Sequence, residues 1–260
     1  MVVGVVALIA GGDGITAARL AVSMTALQAS IGSLNDLVDA PRDAGHKSSK
    51  PIPAGLVSTR LAVTAVLVGG GVGIALAIPS GWGMASLAVV VLAIGYGYDL
   101  RFKGTAWSWL PFAVGIPLLP VYGWLGAAGT LPASFAVLLP VAVIAGAALA
   151  IANARADTER DTEAGVDSVA IRLGLERAWA VNAGLLAIVA TAAFATLAIG
   201  AASAGVLVGA VAATLVIGLG VLIGRGGDRV RRERAWELQA VGLGLLALAW
   251  LAGVPLDGGR

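Results

Sequence analysis

Nine apolar stretches, most of them about 20 residues long, make up the bulk of this chain. They lie at roughly 1–11, 15–34, 58–79, 82–98, 107–128, 131–152, 175–200, 203–224 and 236–255. A run of about 20 apolar residues crosses a hydrocarbon core of about 30 Å as a helix. In lipid every backbone N–H and C=O needs an internal partner, so spans of this kind are helical. Only 12% of the 260 residues are charged, too few to cover a soluble domain. The expectation is an all-α polytopic membrane protein, one integral-membrane domain over 1–260 with nine transmembrane helices. The first stretch is short for a span. Met1–Ala10 lacks a basic start and a clear cleavage site, so it does not read as a signal peptide. With no cysteine there are no disulfides or thiolate metal sites, and a single histidine, His46, excludes zinc sites built on several imidazoles. A net charge of +2, with the basic residues in short loops, does not point to nucleic acid.

Charge placement orients the helices. Of 17 basic residues, all but Arg19 and Arg260 fall in the connections after the second, fourth, sixth and eighth stretches, helix ends included. The positive-inside rule makes that face cytoplasmic, with the N-terminus inside and the C-terminus outside. Of 15 acids, all but Asp13 and Asp257 share the same face. The positive-inside rule does not ask for that, so the acids need a second reason.

The acids are patterned. Asn35, Asp39 and Asp43 close the second stretch, and Asn153, Asp157 and Asp161 close the sixth, both as N-x-x-x-D-x-x-x-D, 118 residues apart. Asp36 adds a carboxylate to the first copy. Positions i, i+4 and i+8 share one helical face, so each copy aims its oxygens one way. Matching motifs on corresponding helices predict two related four-helix halves plus one extra helix, with a site between them. Carboxylates four apart repel, and carboxylates near the end of an apolar helix cost desolvation. Hard oxygen ligands of this kind suit Mg²⁺, which takes one or two protein carboxylates and shares the rest of its shell with water and substrate phosphate. Arg42, Lys47, Lys50, Arg101, Lys103 and Arg155 lie near enough in sequence to hold the remaining phosphate charge.

These motifs resemble those of the UbiA superfamily of intramembrane prenyltransferases. "NDLVDAPRD" (Asn35 to Asp43) is similar to that family's first Asp-rich signature, and "DTERDTEAGVDSVAIRLG" (Asp157 to Gly174) resembles its second. "KPIPAG" (Lys50 to Gly55) resembles the basic-Pro-Ile-Pro run after the first motif, in the form typical of ether-lipid and chlorophyll or tocopherol branches. "YGYDLRFKG" (Tyr96 to Gly104) resembles the cytoplasmic loop after helix four. The resemblance implies Mg²⁺ as cofactor, an isoprenyl diphosphate and a lipophilic acceptor as substrates, and an allylic cation between them. It implies Asn35, Asp36, Asp39 and Asp43 as the first metal–diphosphate cluster. Asp157 and Asp161 would form the second, with Asn153 in support. Lys103 matches the family's loop lysine as a diphosphate contact, followed by Arg101 and Lys50. Tyr96 and Tyr98 could face the cation or the prenyl chain, or anchor at the interface.

The chain departs from the family pattern at Pro41, which removes a helical N–H between Asp39 and Asp43. It departs again at Asp167, an acid where many relatives carry Lys or Arg, and in its short first stretch. Trp107, Trp109, Trp124 and Trp236 lie near segment ends and read as interfacial anchors. The glycines of "VGGGVGIALAIPSGWG" (Val68 to Gly83) read as close helix packing. Two other functions fit the same residues: a terpene cyclase of the same fold, which needs no acceptor, and a transporter with a polar site between repeats. The transporter would place acids near mid-span, whereas these gather at one edge.

Overall fold

A computed structural model describes residues 1–43, 50–163 and 165–254, except the side chains of Arg42 and Asp43. His46 and Lys47 therefore lie outside the described residues, as do the Arg42 and Asp43 side chains. Among the described residues eleven α-helices follow one another: α1 Val2–Ile9, α2 Gly14–Asp43, α3 Thr59–Ala77, α4 Trp82–Gly97, α5 Trp109–Ala128, α6 Phe135–Ala156, α7 Thr158–Glu163, α8 Val169–Leu173, α9 Leu175–Ile199, α10 Ala204–Gly224 and α11 Arg229–Gly253. A π-turn at Tyr98–Phe102 extends α4. No strand occurs among the described residues.

Each of the nine apolar stretches carries a helix, but among the described residues seven helices are long and apolar enough to cross a membrane. α1, with eight residues, is about 12 Å long and falls short of a span. α2 is the longest helix at 30 residues, yet Arg19, Gln28, three serines and the Asp motif interrupt its apolar face. The polar stretch after α6 also holds two short helices, α7 and α8. α2 runs through Pro41 to Asp43. The chain divides into two compact units, Met1–Arg101 with Pro120–Thr130, and Phe102–Leu119 with Leu131–Arg260. The division falls inside α5, so it does not separate two complete four-helix halves.

In the first unit, glycines let α2 and α3 touch. A Cβ on Gly73 would lie 2.5 Å from Leu27 Cδ2, and one on Gly69 would lie 2.9 Å from the Ala26 carbonyl oxygen. Small residues at such contacts bring backbones together where lipid leaves no hydrophobic drive between helices. Short hydroxyl bonds add to this. Ser23 donates to the Gly73 carbonyl at 2.6 Å, and the Tyr122 hydroxyl lies 2.6 Å from the same Ser23 oxygen. Arg19, in the second turn of α2, donates to the Leu76 carbonyl and to Ser80, both at 2.7 Å. Trp124 is only 6% exposed, so it packs in the core of this unit and does not anchor at the interface. Trp107, in the second unit, is 61% exposed and stacks with Trp109.

The second unit packs α6, α9, α10 and α11, with α6 the most deeply buried helix. Gly220 and Gly242 bring α10 against α11, where added Cβ atoms would lie 2.8 Å from the Ala235 carbonyl oxygen and 2.6 Å from Ile217. Asn182 of α9 donates to the Ala148 carbonyl of α6 at 2.9 Å and to Gln239 of α11 at 3.0 Å. One buried amide thus ties three helices, and a polar group without a partner in such a core is costly.

Candidate active site

The first cluster sits on the last turns of α2, in the first unit. Asp39 is buried, while Asn35 and Asp36 are half-buried. The Lys50 ammonium lies 3.0 Å from Asp36 Oδ1 and 3.6 Å from Asp39 Oδ2, across two carboxylates one helical turn apart. Lys50 opens a tight turn through Pro51 and Pro53, in which Ala54 N–H donates to the Lys50 carbonyl at 2.9 Å. Asn35 Nδ2 donates to Asp99 Oδ1 at 2.7 Å. Asp99 is buried in the π-turn after α4, so this bond ties the head of the first motif to a neighbouring helix. Tyr96 lies 2.7 Å from Ser30 Oγ, whose own proton goes to the Val66 carbonyl at 2.6 Å. Tyr96 is therefore the donor, and its hydroxyl is committed to bracing α4 against α2 and α3. Tyr98 is half-buried in the π-turn, and Arg101 is exposed.

The second cluster forms where α6 gives way to α7, in the second unit. Asp157 N–H donates to the Asn153 carbonyl at 3.2 Å, and Asp161 N–H donates to the Asp157 carbonyl at 2.9 Å. Two i to i+4 backbone bonds thus link Asn153, Asp157 and Asp161 across the junction, although Asp157 itself, at φ −98° and ψ 3°, breaks the helix between α6 and α7. All three are half-buried. Arg160 holds Asp157 Oδ1 at 2.8 Å and reaches Glu233 on α11 at 3.5 Å, and Arg229 holds the same Glu233 oxygen at 2.9 Å. The half-buried Lys103 belongs to this unit as well. Its neighbour Gly104, at φ +76°, approaches Val166 so closely that a Cβ would lie 3.2 Å from Val166 Cγ1. Val166 N–H in turn donates to the Asp161 carbonyl at 2.8 Å. The loop bearing Lys103 is thereby packed beside the second motif.

Two arginines have a different role from the one their sequence position suggests. Arg155, read as a phosphate ligand, is buried and spends its donors on backbone carbonyls: Leu175 at 3.1 Å and Gly224 at 2.8 Å. Arg232 donates to the Arg155 carbonyl at 2.9 Å and the Gly227 carbonyl at 2.6 Å, and also pairs with Glu159. The Gly224 and Arg155 carbonyls lie at the C-terminal ends of α10 and α6, where the helix leaves carbonyls without partners, and together the two arginines fix the end of α6 that carries the motif. Burial alone would raise the Glu159 carboxyl, but the hydrogen bond and charge of Arg232 outweigh it and hold it below its ordinary range. Asp167, the charge reversal near the second motif, is exposed and bound by Arg172 at 2.5 and 2.9 Å. That pair holds its carboxyl below the usual value and neutralises it locally, so the reversal adds no uncompensated charge beside Asp161.

Among the described residues, no three acidic or histidine side chains close into a ready-made metal cage. Each cluster offers a few hard oxygens, the set that suits an ion sharing its shell with water and phosphate. Asp99, Arg160, Arg232, Glu159 and Glu233 escaped the reading of the sequence. Asp99 carried a usable signal, a lone acid at the end of an apolar helix. The contacts of Arg232 with Arg155 and Glu159, and of Arg160 with Glu233, left none, because those partners lie 73 to 77 residues apart.

The family model described as the UbiA prenyltransferase family matches residues 1–253. No curated protein matches the chain. Among solved structures, the apo structure of a UbiA homolog from Aeropyrum pernix K1 is similar with a TM-score of 0.79 and 20% identity, over 95% of this chain and 94% of that one. A UbiA homolog from Archaeoglobus fulgidus bound to DMAPP and Mg²⁺ is similar with a TM-score of 0.71 and 20% identity, over 94% of each chain. The same Archaeoglobus homolog bound to GPP and Mg²⁺ gives 0.70 and 19%, again over 94% of each chain.

Proposed function

We propose that this chain, which belongs to the UbiA prenyltransferase family, moves an isoprenyl group from an isoprenyl diphosphate to a lipophilic acceptor, an aromatic or a hydroxylated lipid. The observation that carries this reading is the repeated N-x-x-x-D-x-x-x-D. Asn153, Asp157 and Asp161 are linked by i to i+4 backbone bonds across the α6–α7 junction, and Asn35, Asp36 and Asp39 share the last turns of α2. The Archaeoglobus homolog, bound to DMAPP or GPP with Mg²⁺, supports the substrate class and the ion. The match over residues 1–253 supports one integral-membrane domain.

The donor set fits Mg²⁺, with Asn35, Asp36, Asp39 and Asp43 in one cluster and Asp157 and Asp161, aided by Asn153, in the other. Bound there, Mg²⁺ supplies charge neutralisation to the leaving diphosphate. The chain's own part is to bind and orient. Lys103, with Arg101 and Lys50, meets the remaining phosphate charge as the allylic C–O bond breaks and the electron pair leaves with the diphosphate. The acceptor oxygen or carbon then bonds to the allylic carbon and loses its proton. Tyr98, and the ring of Tyr96 held by Ser30, can face the cation. The apolar helices keep out the water that would quench it. In this reading the protein spans the membrane several times, with the Asp motifs and the N-terminus at the cytoplasmic side and the C-terminus outside.

The test is turnover. Purified protein in lipid is given Mg²⁺ and prenyl diphosphates of increasing length, with and without a lipid and phenol extract, and diphosphate release and product mass are read. Release that needs the extract, with a product of acceptor plus prenyl, is the expected result. Release without it, giving a hydrocarbon or terpene alcohol, would make the protein a cyclase. Asp39→Ala and Asp157→Ala should each lower release by about 100-fold or more; wild-type rates in both would remove the two clusters from the chemistry.

A further inference from the structure

Each Asp cluster is already engaged by a basic side chain of the protein. In the first unit the Lys50 ammonium spans Asp36 and Asp39 at 3.0 and 3.6 Å. In the second unit the Arg160 guanidinium holds Asp157 at 2.8 Å. These are the oxygens that the proposed function gives to Mg²⁺. An ammonium or guanidinium and a divalent ion cannot share them at close range, because like charges at such distances repel strongly wherever solvent is partly excluded. Asp39 is buried, and Lys50 and Arg160 are half-buried, so the repulsion is not fully screened. An ion arriving alone must therefore displace a cation that the protein itself supplies.

Both basic residues are also built to move without disturbing the fold. Arg160 is divided between Asp157 at 2.8 Å and Glu233 at 3.5 Å, so it keeps a carboxylate partner when it leaves Asp157. Lys50 has its backbone pinned by the Lys50–Ala54 turn, which leaves the four-carbon stem as the moving part. A diphosphate brings the negative charge that either cation can accept once displaced.

We propose that Lys50 and Arg160 are positioning residues that act as resident counter-cations. They oppose a divalent ion presented alone, transfer to the diphosphate when it accompanies the ion, and so couple the binding of the two ligands. This rests on the prenyl-diphosphate reading above. Linkage requires the coupling to be reciprocal. It also gives Asp36, Asp39 and Asp157 a cationic partner at every stage of the cycle.

The experiment measures protein-bound Mn²⁺ by equilibrium dialysis of the purified full chain in lipid against a protein-free compartment, with and without inorganic diphosphate, because diphosphate itself chelates Mn²⁺. It compares wild type with Lys50→Met, Arg160→Met and the conservative Lys50→Arg and Arg160→Lys. Wild type should bind Mn²⁺ weakly alone and at least tenfold more tightly with inorganic diphosphate, on the order of ordinary binding couplings. Each Met variant should bind Mn²⁺ alone about tenfold more tightly than wild type and lose most of the gain from diphosphate. The conservative variants should stay close to wild type in both. Met variants that bind Mn²⁺ alone no better than wild type, or that keep the full diphosphate gain, would overturn the inference while leaving the proposed function standing. Wild type that shows no diphosphate-dependent Mn²⁺ binding would overturn both.

Discussion

Asn35 and Asp99 show what a single side chain contributes at this site. Asn35 could be picked out by its place in a repeated motif, but its partner could not, since Asp99 comes from another helix 64 residues on. The bond from Asn35 Nδ2 to Asp99 fixes the amide so that its oxygen, the atom suited to a hard cation, faces away from Asp99. Replacing Asp99 with leucine leaves the Asn35 N–H₂ without this acceptor and should destabilise the protein by about 1–3 kcal/mol. Asp99→Asn keeps an oxygen in place and should recover most of that loss. Melting in detergent reads the stability, and equal melting of wild type and Asp99→Leu would show that the bond contributes little. The same scale separates Lys50 from Arg155. Both are basic residues near an acidic motif, yet one sits on carboxylates and the other on backbone carbonyls. The sequence offered no way to tell them apart, because what differs is which groups each side chain reaches across the fold.

At the scale of elements, two contacts carry predictions. Gly73 lies where α3 presses on α2, with Leu27 2.5 Å from any Cβ added there. Gly73→Val should cost about 1–3 kcal/mol from overpacking, whereas Gly71→Ala, at a position with open space around it, should cost far less. Thermal unfolding of both variants checks this, and similar losses would count against the close packing. The second contact is the hold of α11 on the end of α6. Arg232→Leu strips a donor from two backbone carbonyls and removes the partner of Glu159. With Glu159 half exposed, the loss should be about 2 kcal/mol, below that of a fully buried pair. The Glu159 carboxyl is held lower in the folded chain than its ordinary value, since the hydrogen bond and charge of Arg232 outweigh burial. Its contribution is therefore present above that ordinary value and disappears as pH falls through the lower folded value. Stability measured from pH 6 downward should fall less steeply in Glu159→Gln than in wild type; parallel curves would show that Glu159 does not carry this acid sensitivity.

For the whole molecule, the proposed topology can be tested directly, since the chain has no cysteine and any introduced one is unique. Gly226→Cys lies in the exposed turn before α11, and Thr130→Cys lies in the exposed turn between α5 and α6. An impermeant thiol reagent should reach the second from outside intact cells and the first only after permeabilisation. Labelling of both from one side would overturn the assigned sidedness. The sequence by itself determined the class of this protein. Twenty-residue apolar stretches leave helices as the spanning structure, and a twice-repeated spacing of Asn and Asp on one helical face needs only local geometry to be read. The structure decided where each helix begins and ends, and so that seven among the described residues are long and apolar enough to cross a membrane. It decided that the glycines of α3 serve contact with α2, that Trp124 is core, and that Arg155 and Arg232 brace the second motif. It also decided that Lys50 and Arg160 rest on the carboxylates themselves. The reason is one of range: periodicity and spacing are set by neighbours along the chain, whereas a charged side chain takes its role from partners that only the packed helices bring within reach.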